Sequence, residues 1–194
     1  MSATTKTPLA AARQTAEYIA NTLAPFCDRI EIAGSIRRGR PQVGDIELVA
    51  LPRRPVDLFG VPQLDTDTAL DQFLAEKQVP LIKNGRKYKQ FKYGRYTVDL
   101  FLPESPAHWG SIYTIRTGSH EFNMWIMNTR ARQVGVRFVG GLLYTWGREL
   151  IPTPEEEDVF AALQMGFVPP ERRDDGGWLE YLTSFQRGCI FYLP

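Results

Sequence analysis

The chain predicts an α+β fold, and three observations carry that expectation: a helical apolar repeat at the start, two strand-like runs that each hold acids, and a hairpin signal between them. Leu9, Ala12, Ala16, Ile19 and Leu23 recur at steps of three and four, so residues 8–24 read as an amphipathic helix entered through Thr7-Pro8. Ile30 to Ala33 reads as a short apolar strand, and Gly34-Ser35 ends it by opening a turn in which backbone N–H groups and a hydroxyl can approach phosphate oxygens. Arg37 and Arg38 add positive charge there. Gly44 precedes a second strand, Asp45 to Leu51, whose alternation puts Asp45 and Glu47 on one face and Ile46 and Leu48 on the other.

Residues 52–64 are a proline-rich loop, and Thr66 to Lys77 reads as a helix with Ala69, Leu70, Phe73 and Leu74 inward. Val79 to Lys83 and Arg86 to Tyr93, joined by Asn84-Gly85, form a hairpin signal with a type I′ turn. Tyr96 to Leu102 is β-prone with Asp99 in its middle. Residues 104–114 read as a connection, followed by a helix near 119–133, short strands punctuated by Gly135 and Gly140-Gly141, and a helix at 154–164.

Composition narrows the function class. A chain of 194 residues with net charge +1 does not announce a nucleic-acid binder, so any such argument rests on local charge. Cys27 and Cys189 have no paired spacing and imply neither a disulfide framework nor a zinc site. No basic-then-apolar leader and no bilayer-length apolar run is visible, so a cytoplasmic or nucleoplasmic location, without membrane partners, is expected.

Local charge gives the chemistry. Two carboxylates at i and i+2 on a strand can clamp hard cations, whereas an isolated pair of this kind reads as acids facing water. Asp99 in the middle of a β run changes the balance, because a lone buried aspartate is costly unless a cation offsets it. Three acids on neighbouring strands would hold two Mg²⁺ ions about 3.5–4 Å apart, the arrangement that stabilises attacking and leaving oxygens in phosphoryl chemistry. Lys83, Arg86, Lys87, Lys89, Lys92 and Arg95 succeed one another with no acid among them and with Tyr88, Phe91 and Tyr93 interleaved. Such a hairpin either tracks a polynucleotide backbone or is a charged edge that resists aggregation.

The stretch Gly34-Ser35-Ile36-Arg37-Arg38-Gly39 followed by Gly44-Asp45-Ile46-Glu47 resembles the palm signature of the nucleotidyltransferase superfamily, in the version carried by X-family (polymerase beta type) DNA polymerases. Thr117-Gly118-Ser119 with Phe122-Asn123 resembles the segment that opens that family's nucleotide-contacting subdomain. Glu156-Glu157-Asp158-Val159-Phe160, leading through Gly166-Phe167 to Pro169-Pro170-Glu171-Arg172-Arg173, is similar to its closing segment. Together they cover about residues 8–173 in the family's order.

The resemblance implies a nucleotidyltransferase palm, a mixed sheet with helices on one face, over 1–103, a small α/β thumb-like subdomain over 104–173, and an aromatic tail over 174–194. It implies two Mg²⁺ ions, with Mn²⁺ as a substitute, on Asp45, Glu47 and Asp99. It gives Gly34, Ser35, Arg38 and Gly44 to the triphosphate, Thr117 and Gly118 to the sugar through a cis Gly118–Ser119 peptide, and Asn123 to the base. The partners implied are a nucleoside triphosphate and primer–template or gapped DNA, bound by a monomer. The short run before Gly34 gives the expectation of no deoxyribose phosphate lyase activity.

Three departures keep other readings open. Glu47 stands where these polymerases usually carry aspartate, Ile115-Arg116 where they carry an aromatic pair, and Met127 where an arginine meets the template. The expected activity is templated addition to a primer 3′-OH in gap filling or DNA repair. A template-independent transferase, one acting on RNA, protein or a small molecule, and a non-catalytic nucleic-acid-binding module are the alternatives.

Overall fold

A computed structural model describes residues 6–59, 63 and 66–182 of the chain. Thr7–Pro8 (β1) leads into α1, Leu9–Leu23, which buries Ala12, Ala16, Ile19 and Leu23 along one stripe. A 3₁₀ turn, Ala24–Phe26, passes to β2, Cys27–Ile32, and β2 into a single helical turn, Gly34–Arg37 (α2). Gln42–Val43 (β3) pairs back on β1, and β4 runs Ile46–Pro52. Next comes α3, Ala69–Glu76, capped by Thr68, whose hydroxyl accepts from the Asp71 N–H while the Asp71 carboxylate accepts from the Thr68 N–H. Three more strands complete this part: β5, Leu81–Asn84, β6, Tyr88–Tyr93, and β7, Tyr96–Phe101.

These strands form one five-stranded sheet in the order β2-β4-β7-β6-β5. It is mixed because β4 and β7 run parallel while the other neighbours are antiparallel. Alternation then sorts the side chains. Ile46, Leu48 and Ala50 of β4, Val98 and Leu100 of β7 and Phe91 of β6 join α1 and α3 in one core, so the helices cover one face of the sheet. Glu47, Asp99 and Gln90 lie across from one another on the other face. The architecture is α+β, as the sequence predicts.

Two expectations about the hairpin change. β5 and β6 do pair, but Asn84 pairs with Lys89 and residues 85–87 form the connection, closed by the Gly85 N–H donating to Tyr88 O at 2.8 Å. Neither Asn84 nor Gly85 has a positive φ, so the turn is not type I′. A bulge between Leu81 and Lys83 absorbs the altered register.

The chain divides into two compact units, Met1–Ser105 and Pro106–Pro194. In the second, a 3₁₀ turn at Pro106–His108 precedes α4, Trp109–Thr117. This helix lies where the sequence predicts a connection. Its formation results from packing: Gly110 approaches so closely that a Cβ would lie 2.0 Å from Glu155 O, and its N–H donates to Thr153 O at 2.6 Å. Then come α5, His120–Met124, a π-helical turn, Trp125–Arg130, and α6, Ala131–Gln133. The hairpin β8 (Val136–Val139) and β9 (Leu142–Thr145) and α7 (Glu156–Ala162) complete the layer. Phe122, Ile126, Leu143, Val159, Phe160 and Leu163 are its core.

The first part of the expected aromatic tail belongs to this core. Trp178 packs edge-on against Phe122 at 5.6 Å, and Leu182 is buried. Residues 183–194, with Cys189, Phe191 and Tyr192, lie outside the described residues. No helix among the described residues is long and apolar enough to cross a membrane.

Candidate active site

The acids expected to act together come from one side of the first unit's sheet. Glu47 on β4 and Asp99 on β7 are register partners on parallel neighbouring strands. Asp45 sits just before β4, half-buried. Burial, and after it the negative charge of Asp99, hold the Asp45 carboxyl above the ordinary carboxylate range, while its own backbone N–H and the Arg38 guanidinium pull the other way. Asp45 therefore feels both Asp99 and Arg38. The donor set consists of hard carboxylate oxygens, the kind Mg²⁺ or Mn²⁺ takes, and the repulsion at Asp45 is what a cation would relieve. Among the described residues, no three His, Cys, Asp or Glu side chains already stand in metal-holding geometry.

Two contacts show how the carboxylates are held. Glu47 is turned against Gly34, where a Cβ would lie 2.0 Å from Glu47 Oε2. With φ +61° this position takes glycine for two separate reasons. Asp99 Oδ1 accepts from the Tyr88 hydroxyl and from Gln90 Nε2, the latter at 2.8 Å. Tyr88 entered the sequence reading only as an interleaved aromatic and Gln90 not at all. The signal that finds them is the antiparallel pairing of the hairpin strand with the Asp99 strand, combined with alternation.

The expected phosphate cradle forms the turn next to these acids. Gly34–Arg37 is one helical turn at the end of β2, and it is tied to β4 by the Ala33 N–H donating to Glu47 O at 2.9 Å. Arg13 of α1 donates to Ile36 O at 3.3 Å and fixes the turn from the other side. Ser35 and Arg38 are half-buried there, and Gly44 lies at the bend before Asp45.

The cationic hairpin needs one correction. Lys89 is 3% exposed and points to the helix side of the sheet, where its ammonium meets Asp71 Oδ1 at 2.6 Å and donates to Asn84. It is a buried ion-pair partner of α3 and not a nucleic-acid contact, because alternation on β6 sends it the opposite way from Tyr88, Gln90 and Lys92. Burial alone would raise Asp71, but hydrogen bonds from Lys89 and Thr68 outweigh it and hold the carboxyl below the ordinary range. The other five stay exposed: Lys83, Arg86, Lys87, Lys92 and Arg95. Lys83 lies over the Tyr88 ring at 5.3 Å, Lys87 pairs with Glu104 at 2.7 Å, and Lys92 donates to Thr97.

In the second unit, the turn from Thr117 to Asn123 is a helix stop and restart. Thr117 is fully buried at the end of α4. Ser119 caps α5 by accepting from the Phe122 N–H at 3.1 Å, and Phe122 fills the core. Asn123 Nδ2 donates to Ile115 O at 2.7 Å, and a Cβ on Gly118 would lie 2.2 Å from Asn123 Oδ1. The Gly118–Ser119 peptide is trans, since no cis bond occurs among the described residues. The cis form implied by the resemblance is therefore corrected.

The segment's other end is locked by a pair that the sequence reading missed. Arg173, fully buried, donates from Nη1 to Glu156 Oε1 at 2.7 Å and from Nε to Val168 O at 2.9 Å. Its guanidinium lies over Phe160 at 5.2 Å and over Phe122 and Phe167 at 5.6 Å.

The first unit is α+β with acids along one sheet face, and a smaller α/β unit follows it in the chain. Residues 113–174 match the family model described as DNA polymerase beta thumb, so that stretch is an X-family polymerase-like element. The match spans both the Ser119-capped restart and the Glu156–Arg173 pair. No curated protein matches the chain.

Proposed function

We propose that the protein is a DNA polymerase of the X-family kind, which adds deoxynucleotides to a primer 3′-OH in gap filling or repair. The observation that carries this reading is the carboxylate arrangement of the first unit. Asp45 is held against the charge of Asp99, Glu47 is in register with Asp99, and the Gly34–Arg38 turn sits beside them. The thumb match in the same chain supports it.

Asp45 and Glu47 would hold both divalent ions, and Asp99 would complete the site nearer the primer. When bound, the ions supply charge neutralisation of the triphosphate and a lowered pKa for the 3′-hydroxyl. Ser35 and Arg38, with backbone N–H groups near Gly34 and Gly44, grip the β- and γ-phosphates, and Arg38 can do so through two parallel hydrogen bonds. Asp99 accepts the 3′-hydroxyl proton as the oxygen attacks the α-phosphorus in line, and pyrophosphate leaves. Thr117, Gly118 and Asn123 are the nucleotide-contacting candidates of the second unit. Positioning and charge stabilisation account for the rate.

The test is primer extension on single-nucleotide-gapped DNA with Mg²⁺ or Mn²⁺, each nucleotide offered separately, beside Asp99→Ala. Templated insertion that falls about 10³-fold or more in the variant is expected. Insertion unchanged in Asp99→Ala overturns the reading. A second reading, a template-independent transferase or one with another acceptor, is favoured by Ile115-Arg116 at the end of α4 and Met127 in the π turn. Untemplated addition, or no addition to DNA, would select it.

A further inference from the structure

Two donors outside the acid cluster converge on a single oxygen of Asp99. The Tyr88 hydroxyl and Gln90 Nε2 both donate to Oδ1. Gln90 is the direct register partner of Asp99 across β6 and β7, and Tyr88 is that of Phe101. The Tyr88 ring is itself held, stacked on Phe101 at 5.1 Å with the Lys83 ammonium 5.3 Å from its centroid. A phenol fixed by a ring below and a cation beside it can aim its hydroxyl at one place. With both donors on Oδ1, Oδ2 is the oxygen left to meet a cation or take a proton.

We propose that Tyr88 and Gln90 are positioning residues for nucleotidyl transfer: they fix the rotation of the Asp99 carboxylate so that Oδ2 serves the divalent ion and the primer hydroxyl. This rests on the nucleotidyl-transfer reading. Partners that orient a metal-binding carboxylate typically change metal affinity or activity by about 10–100-fold when removed. A purely structural pair would change stability instead. Tyr88→Phe keeps the stacking on Phe101 and removes only the hydroxyl, so it separates these two roles.

The experiment uses the full chain and two readouts, Mn²⁺ binding followed by electron paramagnetic resonance without nucleotide, and single-nucleotide insertion on gapped DNA. Tyr88→Phe and Gln90→Leu are each expected to weaken Mn²⁺ binding and lower kcat by about tenfold, with the nucleotide KM within about twofold of wild type. The melting temperature of Tyr88→Phe should stay at the wild-type value, and Gln90→Asn should recover part of what Gln90→Leu loses. The proposal is overturned if both variants keep Mn²⁺ affinity and kcat within twofold while Asp99→Asn loses them, or if kcat falls only in step with melting temperature. If the wild-type chain transfers no nucleotide, the enzymatic reading fails by itself. The Mn²⁺ titration then still decides the positioning claim, which falls if Tyr88→Phe and Gln90→Leu bind like wild type.

Discussion

In the second unit Arg173 is fully buried with its guanidinium 2.7 Å from Glu156, whereas in the first Asp45 is half-buried beside the charge of Asp99, a group of its own sign. The pair in the second unit is charge-matched: the guanidinium meets the Glu156 carboxylate and a backbone acceptor and lies over three aromatic faces. In the first, Asp45 has a like charge acting on it. Where charge is fully matched inside the protein it holds structure, and where like charges are kept together the arrangement asks for something from outside. Lys89 with Asp71 shows that the first unit can match a buried charge when only structure is needed.

The largest test of this contrast is stability. Arg173→Ala leaves Glu156 buried without its partner and is expected to cost about 3–5 kcal/mol in urea unfolding. Asp99→Asn removes a like charge and should cost none. Equal losses in both variants would break the comparison. Gly34→Ala ranks next: a methyl group must displace the Glu47 carboxylate at a φ of +61°, with an expected cost of about 1–3 kcal/mol.

Acid titration sharpens the contrast. The raised Asp45 carboxyl contributes stability that is present below the ordinary carboxylate pKa and lost as pH rises through its higher folded value. Asp71, held low, contributes stability present above the ordinary value and lost as pH falls through its lower folded value. Unfolding midpoints measured across the acid range should therefore flatten in opposite senses in Asp45→Asn and Lys89→Met. A change of the same sign in both would contradict the assignment. The smallest expected effect concerns DNA binding. Removing any one exposed cation that meets a phosphate, such as Lys83 or Arg86, should reduce the slope of log affinity against log salt by about 0.9, while Lys89→Met leaves the slope unchanged.

Much of the first unit was legible because two simple periods govern it. The three-and-four repeat from Leu9 to Leu23 became α1, and alternation through Ile46, Glu47 and Leu48, and through Val98, Asp99 and Leu100, sorted core from acids. The same rule, applied across β6, would have sent Lys89 inward, but a run of six cations reads as one solvated surface until the strand's partner is known. α4 was not legible. Trp109, Gly110, Tyr113 and the β-branched Ile112, Thr114 and Ile115 have weak helix propensity, and contacts with Thr153 and Glu155, more than forty residues later, impose the helix. The resemblance gives Gly118 to the nucleotide, whereas its visible work here is close approach to Asn123, and the neighbouring Ser119 caps α5. The Glu156–Arg173 lock lay inside quoted motifs, but nothing in a string of letters says which of Glu155, Glu156 and Glu157 turns inward.

The wide turn at Trp125–Arg130 has its own reach. One extra residue per turn swings the next stretch of helix by roughly 100° around the axis, and Arg130 thereby delivers Nε to Leu163 O at 2.8 Å and Nη2 to Gln164 O at 2.7 Å, the two carbonyls just past the end of α7. Deleting a single residue from this stretch would rewind it to ordinary pitch, aim the guanidinium elsewhere and leave that helix end unsealed. An insertion that looks like an imperfection in one helix is thus the fastening of another.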